Sequence, residues 1–542
     1  FGSSSSIVES SQTCPAHAAS KLDTNAAIHI EMISDSASFA GDRIYQPDAS
    51  SRSSSNWSCT FALLLIVCFI DGADLQLTPA SFRALEADLG FTPADLGKLA
   101  MMQALFLSAL APFWGSAADT GLIQKRSLLA MACAGWGVFT IAISTSSDIY
   151  SMLLLRAFIG ACLAALLPLS QSIIAMQAGP GERGRLFGWV AFSQMMGQVT
   201  TSLFATSISN MRFSVFGSET AGWRVAFFSV GVVSILVAVV IALLMEDLAS
   251  SSRLLDQRRE SVQGMFYDVF VRIRTYFQIS TFRIIVLQGL FGMIPWRALD
   301  FLAMYFQYIG FKDDMAALLV TFLMLGLSFG VFFGGFIGDF MAQWSRHHGR
   351  LITAQISIAL GIFCVIPLFC AVTPAVTNFL PYAGLIWILG LSASWTIAGT
   401  KRPILTEVVE AEDWASVLAL DTALEGSFSA ICGAPVVGML AEHTFGYVPA
   451  SGQVRDMIPQ LRNKNQEALG KAMMLMTIAP WVICLLIWSF LHILYPRDLE
   501  RIARAREEAG DLGGSSETQH LMKIDDGCME DVSILEPCAD SS

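Results

Sequence analysis

Twelve apolar runs, each long enough to cross a membrane as a helix, constrain this chain more than any other feature of its sequence. A hydrocarbon core of about 30 Å needs about 20 apolar residues per helix. Charged residues make up 14% of the chain, against about 25% in soluble domains. We therefore expect an all-α polytopic membrane protein. The runs, called spans 1 to 12 in chain order, begin near Trp57, Pro93, Ser127, Ile149, Gly184, Ala221, Thr281, Asp314, Leu351, Phe379, Trp414 and Leu469.

The polar stretch 246–280 divides the spans into two sets of six, which predicts two six-helix bundles with pseudo-twofold symmetry. We expect a disordered cytosolic tail over 1–56, bundles over 57–245 and 281–496, a central cytosolic loop over 246–280 and a disordered cytosolic tail over 497–542. In the central loop, aromatic and aliphatic residues recur at helical spacing. They predict an amphipathic helix on the membrane surface or, equally, a first turn of span 7. These residues are Phe266, Phe270, Ile273 and Phe277.

Basic residues are concentrated on one side of the predicted spans, together with both tails and the central loop. Lys125, Arg350 and Lys401 belong to this side, whereas Arg83 is among the few basic residues on the other. Because cytosolic loops carry an excess of Lys and Arg, both termini should be cytosolic. We expect a multi-pass protein of the plasma membrane or of an endolysosomal or other organelle membrane.

Several classes of function are disfavoured. The net charge of −12 without a basic face argues against nucleic-acid binding. The 11 cysteines show no metal-ligand spacing, so we expect no metal site. No nucleotide-binding loop or nucleophile triad is recognisable, which argues against an enzyme or an ATP-driven pump and implies no cofactor. The expected partners are the lipid bilayer, a small-molecule or lipid substrate and, in a coupled mechanism, protons; we expect a monomer.

A short motif occurs once in each half, after span 2 and after span 8. It consists of a glycine and an aspartate four residues apart, followed by basic residues. Duplicated six-helix halves are typical of transporters built from parallel repeats. The motif residues are Gly115, Asp119, Lys125 and Arg126 in the first half and Gly335, Asp339, Arg346 and Arg350 in the second.

This motif resembles the signature loop of the major facilitator superfamily, as do Arg156-x-x-x-Gly160 in span 4 and Gly222-Trp223-Arg224 at the start of span 6. Within that superfamily the chain looks closest to Spinster-like transporters, through Phe69-Ile-Asp71, Gln288-Gly-Leu-Phe-Gly-Met-Ile-Pro-Trp296 and Ala419-Leu-Asp421-x-x-x-Glu425. The resemblance implies a major facilitator fold and transport of lysophospholipids or sphingoid phosphates, often with protons. Two positions depart from the Spinster pattern: Gly72 stands where Arg is usual, and Leu163 stands about where Glu is usual.

Seven ionisable residues fall inside the predicted spans. Each costs about 2.5–3.5 kcal/mol at a helix centre on insertion scales, so they should face one another or a water-filled cavity. We interpret them as candidates for substrate binding or proton coupling, with permanent structural ion pairs as the alternative. They are Asp71, Asp74, Arg156, Arg297, Asp300, Asp421 and Glu425.

Spans 1 and 7 occupy equivalent positions in the two halves, and in the superfamily both line the central cavity. We expect Asp71 and Arg297 to face each other across the pseudo-twofold axis, so that protonation of Asp71 releases Arg297 to hold an anionic head group. Asp421 is a candidate for an inner gate. Arg156 is expected to brace spans 1 and 4 rather than touch substrate.

The duplicated motif predicts a cytosolic gate. Gly115 and Gly335 would let a neighbouring helix pack against the backbone. Asp119 and Asp339 would accept hydrogen bonds from an adjacent helix N-terminus, and the basic residues would pair with nearby acids; the alternative is that these residues only set topology. Span 8 also carries a glycine at every fourth position, which predicts close helix packing. These are Gly326, Gly330, Gly334 and Gly338.

Taken together, the sequence predicts a secondary active or facilitative transporter that works by alternating access. An amphipathic lysolipid, a sphingoid-type lipid or another organic anion is the favoured substrate. The alternatives are a sugar or carboxylate facilitator, a non-transporting sensor on the same scaffold and a passive lipid scramblase.

Overall fold

The structure, a computed structural model, describes residues 54–119, 124–177, 183–215, 217–245, 273–409 and 414–525. Described residues from Asn56 onward belong to one compact unit. The predictions for residues 1–53, for the amphipathic helix up to residue 272 and for residues 526–542 lie outside the described residues. Within the central loop, residues 273–276 form one helical turn.

The first six spans form a helical bundle at the expected positions. Span 4 is divided at residues 164–165, and a short antiparallel hairpin of Arg212–Val215 with Ser218–Ala221 connects spans 5 and 6. The helices are Ser54–Leu89 (span 1), Pro93–Asp119 (span 2), Lys125–Thr145 (span 3), Ile149–Leu163 with Leu166–Gln177 (span 4), Arg183–Ser209 (span 5) and Gly222–Leu244 (span 6).

The second six spans are more often interrupted. Span 7 breaks before Pro295, which occupies the start of a new short helix where its missing N–H costs nothing. The helices are Ser280–Gly292, Ile294–Ala298, the 3-10 turn Leu299–Phe301 and Leu302–Ile309 (span 7), Asp313–Trp344 (span 8), Gly349–Cys370 (span 9), Phe379–Ala393 with the π-helical turn Ile397–Lys401 and Arg402–Glu407 (span 10), Trp414–Cys432, Ala434–Met439 and the π-helical turn Leu440–Thr444 (span 11), and Pro459–Asp525 (span 12). Two further 3-10 turns, Val376–Asn378 and Val454–Asp456, precede spans 10 and 12.

Eleven helical segments in the described ranges are long and apolar enough to cross a membrane, with mean hydropathies from 1.3 to 2.9. Span 5 is more polar, although it has 27 residues. Two of its polar side chains contact span 1: Ser193 donates to the Leu65 carbonyl at 2.7 Å, and Gln194 donates to Asp71. The predicted all-α class is confirmed, with a short hairpin among the described residues as an addition.

Glycines set the closest helix contacts in each half. Spans 3 and 6 meet at Gly137 and Gly231, where a Cβ on either residue would lie 2.8 Å from the carbonyl oxygen of the other. In the second half, all four glycines of the predicted span-8 stripe are buried against span 10. A Cβ on Gly334 would lie 2.5 Å from the Cα of Trp395. These seams allow backbone-to-backbone packing that larger residues would prevent.

The two ends of the bundle carry different residues. The basic end carries Lys125 and Arg350, and the opposite end carries Leu89, Ile309 and the loop 445–458. Span 12 continues past the basic end as one helix to Asp525. The structure has a helix over residues 497–525, where the sequence predicts a disordered tail; the part up to residue 509 is rich in the strong helix formers Arg, Glu and Ala.

Candidate functional site

Asp74 and Arg156 belong to a fully buried cluster inside the first half. Gln103 of span 2 donates to Asp74 Oδ2 at 2.6 Å, and Arg156 Nη1 lies 3.8 Å from the same oxygen. Arg156 also donates to the side-chain oxygen of Gln103, and its guanidinium carbon lies 5.0 Å from the centre of the Phe227 ring. These contacts join spans 1, 2, 4 and 6, as expected for a brace.

Asp71 lies one turn earlier in span 1 and has a different partner. Gln194 of span 5 donates to Asp71 Oδ2 at 2.7 Å. Gly72 is packed against the same residue, since a Cβ there would overlap the Gln194 carbonyl. This close approach explains why Gly72 replaces the arginine of the Spinster pattern: a long side chain would push spans 1 and 5 apart.

Arg297 and Asp300 are half-buried in the broken middle of span 7. The Arg297 backbone and Cβ pack over Gly433 of span 11. No ion pair joins Asp71 to Arg297 among the described residues, so the expected pair is not formed in this structure. The reason is local: the Asp71 carboxylate is hydrogen-bonded within its own half.

Asp421 and Glu425 share one cation, Lys401 of the π-helical turn in span 10. Lys401 Nζ lies 2.6 Å from Asp421 Oδ2 and also pairs with Glu425 Oε2. The Lys401 side chain is only 16% exposed. Lys401 is therefore not the loop residue that its sequence predicts but part of a buried charge cluster.

This charge cluster borders a small cavity within the second half, with a volume of about 40 Å³. Spans 7, 9, 10, 11 and 12 all contribute to its wall. Trp296 and Trp481 meet edge to face there, with ring centres 5.7 Å apart. The lining residues are Gln288, Gly289, Gly292, Met293, Trp296, Ile358, Ala393, Thr396, Lys401, Glu425, Trp481 and Cys484.

At the opposite end, a buried carboxylate ties the two halves together. Glu86 of span 1 accepts hydrogen bonds from the Tyr308 hydroxyl at 2.8 Å, from the Tyr447 hydroxyl at 2.7 Å and from the Ala450 backbone N–H at 3.2 Å. Arg83, one turn earlier, lies 3.5 Å from Glu86 and donates to a carbonyl of the loop 445–458. We call these five residues the Glu86 lock.

Further hydrogen bonds between the two halves surround the Glu86 lock. Asn210 donates to Asp313 at 3.0 Å, and the Ala94 backbone N–H donates to Glu442 at 2.6 Å, both between the halves. Arg83 and Glu86 are essentially unexposed. Arg83 is thus a buried residue of span 1 rather than a loop residue as predicted, because the second half covers the end of the helix.

Tyr447 of the Glu86 lock lies in the loop after span 11, outside the spans. Burial, followed by the nearby Glu86 carboxylate, raises the pKa of this phenol well above 10. The hydroxyl therefore remains protonated at neutral pH and can donate to Glu86.

At the basic end, the first-half motif contacts its own bundle. Gly115 faces span 4, where a Cβ on this glycine would lie 3.8 Å from the Cβ of Pro168. Lys125 contacts the Ser172 hydroxyl, and Arg126 donates to the Met245 carbonyl at 3.2 Å. The side chain of Asp119 lies outside the described part of the chain, so its predicted bond to a helix N-terminus stays a prediction.

The second-half motif forms an ion-pair cluster. Arg350 lies 3.1 Å from Asp339 and 3.7 Å from Glu407, and Tyr495 donates to Glu407. Asp339 thus pairs with arginine rather than with a helix N-terminus. The partners Glu407 and Tyr495 come from spans 10 and 12, so only the fold brings them to the motif.

Two other residues of the second-half motif differ from what the sequence predicts. Arg346 is exposed and forms no ion pair with the described residues. Gly335 has open space where a Cβ would lie, whereas its neighbour Gly334 is packed against span 10. Helical rotation of about 100° between adjacent residues turns Gly335 away from the glycine seam.

The comparisons with known proteins agree on a family and a fold. The family profile of the Major Facilitator Superfamily matches residues 64–401. A bacterial homolog to the human lysosomal transporter Spinster, in an inward-facing and occupied conformation, has a TM-score of 0.69 at 19% identity and covers 82% of this chain and 99% of its own. A D-xylose-proton symporter has a TM-score of 0.56 at 14% identity and covers 79% of this chain and 97% of its own.

Curated relatives are matched over shorter stretches. The Multidrug resistance protein MdtG of Yersinia enterocolitica is 25% identical over 184 residues, which is 33% of this chain and 42% of the relative. The Escherichia coli protein of the same name is 25% identical over 186 residues, or 43% of its length. The chain thus spans less than half the length of the curated relatives that it matches.

Proposed function

Because the chain belongs to the major facilitator superfamily, we propose that it transports an organic solute across a membrane by alternating access. Its two six-helix halves would rock around a central site, so that the site opens to one side at a time. The basic end would face the cytosol, in agreement with the excess of basic residues there. No chemical step on the solute is needed.

The Glu86 lock is the observation that carries this proposal. A transporter of this kind needs contacts that close one entrance and can be broken again. Glu86 lies in the first half, whereas both phenols and the Ala450 N–H that bind it lie in the second. A hydrogen bond to a charged group contributes about 1.5–3 kcal/mol, which is strong enough to hold the entrance closed and weak enough to open.

The charges of the spans would serve two purposes. The Asp74–Gln103–Arg156 cluster lies within one half and would hold that half rigid while it moves. Asp71 and Arg297 are the candidates for solute and proton chemistry. Arg297 is half-buried and makes no ion pair with the described residues, which leaves its guanidinium available for an anionic group.

For the substrate, we propose an amphipathic lysolipid, a sphingoid-type lipid or another organic anion, with proton coupling through Asp71. The likeness of the fold to a Spinster homologue supports this class, and the broken span 7 supplies free backbone and aromatic surface beside Arg297. We propose a monomer in the plasma membrane or an endolysosomal or other organelle membrane.

Flux into proteoliposomes tests this function directly. Purified protein is reconstituted, and uptake of labelled lysolipids, sphingoid phosphates, sugars and carboxylates is measured with and without an imposed pH gradient. Saturable uptake of one class is expected. Ligand binding without flux would indicate a sensor, and lipid movement without saturation would indicate a scramblase.

Two variants test the assigned residues in the same assay. Asp71→Asn should abolish the effect of the pH gradient on uptake, and unchanged pH dependence would remove Asp71 from the coupling mechanism. Asp119→Ala should lower turnover while membrane insertion stays intact, and normal turnover would reject its gate role.

A further inference from the structure

The charge cluster of the second half carries an unbalanced charge. It contains two carboxylates, Asp421 and Glu425, and one ammonium group, Lys401, so its formal charge is −1 when all three are ionised. The two acids lie one turn apart on span 11, and their side chains are 1% and 5% exposed. A net charge enclosed in the protein without a partner is costly, so the cluster needs one further positive charge.

Two oxygens of the cluster also lack a donor. Asp421 Oδ1 and Glu425 Oε1 are essentially unexposed and accept no hydrogen bond from the described residues. Glu425 Oε1 is packed over Gly289 of span 7, where it occupies the position that a Cβ would take. This packing leaves no room for a water molecule at that atom. Because buried acceptors are normally satisfied, the donor must come from within the cluster.

The side chains around the cluster provide no further charge in the part of the chain that the structure describes. Spans 2 and 7 meet this part of span 11 with Ser108 and Gly289. Span 12 brings the Cys484 thiol, which is uncharged near neutral pH. Among the described residues that line the neighbouring cavity, Lys401 and Glu425 are the charged ones. A proton is therefore the remaining way to balance the charge.

The small cavity beside the cluster gives a proton a route of entry. Its volume of about 40 Å³ excludes an organic ligand, whereas a water molecule needs only about 10–15 Å³. Polar side chains contribute to its wall, among them Gln288, Thr396, Lys401 and Glu425. Protonated water in this cavity can pass its proton to a carboxylate: one O–H bond breaks in the donor, one forms at the acid, and neutral water remains.

We propose that the cluster is a binding site for one proton, which Asp421 and Glu425 share beside Lys401. One acid is then neutral, and its O–H group donates within the pair, so the cluster has no net charge. The proton belongs to the pair rather than to one residue, because two carboxylates at one site do not readily ionise together. This site is separate from Asp71, which lies in the other half and is bonded to Gln194.

The π-helical turn of span 10 connects this proton to the basic end. Lys401 is the last residue of the turn, and the carbonyl of Gly399 in the same turn accepts a hydrogen bond from Arg350 at 3.1 Å. Arg350 belongs to the ion-pair cluster with Asp339 and Glu407. A role in transport rests on the proposed function: in a transporter, release of the proton would change the charge around Lys401 and so the force on this turn. Binding of the proton does not depend on transport.

Infrared spectroscopy of the full chain in lipid nanodiscs detects this proton, because a protonated carboxyl group has a C=O band that a carboxylate lacks. Difference spectra against the wild type separate the cluster from other buried acids. Near neutral pH, Glu425→Gln should remove one protonated carboxyl group per chain, since Asp421 and Lys401 are neutral together. Asp421→Asn should remove one for the same reason. Lys401→Met should add one, because both acids then need a proton.

Glu467→Gln is the matched control, because Glu467 is an exposed residue of span 12 that pairs with Lys471 at 2.6 Å. It should leave the band of protonated carboxyl groups unchanged. The two amide variants keep the size of the side chains, so they decide the question even where Lys401→Met does not fold.

An unchanged band in both Glu425→Gln and Asp421→Asn would overturn the proposal, because both acids would then be ionised in the wild type. Flux of a solute in a chain that lacks this proton would reject the site and leave the transporter assignment standing. A bound proton in a chain without any flux would do the reverse.

Discussion

Removing one hydroxyl from the Glu86 lock should shift the balance between closed and open states at the opposite end. Tyr447→Phe deletes the donor that lies 2.7 Å from Glu86 Oε1 and leaves the ring packing intact. A hydrogen bond to a buried carboxylate contributes about 1.5–3 kcal/mol. Since about 1.4 kcal/mol is a tenfold change in an equilibrium constant, the open population should rise about 10- to 100-fold.

Cysteine labelling measures that population. Phe301 of span 7 contacts Phe82 of span 1 across the two halves, with ring centres 4.8 Å apart. In a cysteine-free chain carrying Phe301→Cys, a membrane-impermeant maleimide reaches the thiol only when the halves separate at this end. Tyr447→Phe should raise the labelling rate in proportion to the open population. Because the Tyr447 pKa lies well above 10, the ratio of rates should not change with pH near neutrality.

Tyr305→Phe is the matched control. The Tyr305 hydroxyl is bonded only within the second half among the described residues, where it accepts from Gln466 at 3.2 Å. Its removal should leave the labelling rate unchanged. Equal rates in Tyr447→Phe and Tyr305→Phe would refute the assignment of the Glu86 lock as a closing contact.

Three further predictions concern packing and stability. Gly334→Ala should lower the free energy of unfolding by about 1–3 kcal/mol, since its Cβ would enter the span-10 backbone. Gly335→Ala, at an open position, should raise it by about 0.5–1 kcal/mol. Thermal unfolding in detergent compares the two variants, and equal effects would contradict the glycine packing between spans 8 and 10. Arg156→Met should lower the free energy of unfolding by about 3–5 kcal/mol by leaving Asp74 without its cation. The control is Arg212→Met, which removes the exposed pair of Arg212 with Glu219 and should lower it by less than about 1 kcal/mol; similar losses would reject the brace. Gly72→Ala should separate spans 1 and 5 and sharply reduce the yield of folded protein in size-exclusion chromatography, and a normal yield would contradict the close approach.

The helical architecture is readable from the sequence because a membrane demands about 20 apolar residues per span. The span-8 glycines are likewise readable, since a repeat of four residues defines one helix face. Span 5 shows the limit of this argument, because Ser193 and Gln194 make it polar and only the fold reveals that they contact span 1.

The partners of the buried charges were less predictable. Lys401 precedes Arg402 and Pro403, a pattern typical of a cytosolic loop, and the π-helical turn that carries it into the bundle has no sequence signature. Arg83 and Glu86 lie three residues apart, so their pairing on one helix face was detectable. Their burial was not, because it depends on a loop more than 350 residues later in the chain.

Arg83 and Glu86 lie on the same helix, so they stay together when the entrance at this end opens. When the halves part, the two phenols leave with the second half, but the guanidinium stays one turn from the carboxylate. The Arg83–Glu86 pair on the exposed end of span 1 is then electrically neutral rather than a fixed anion. This pair therefore adds no net charge to the attraction or repulsion of a charged solute at the entrance.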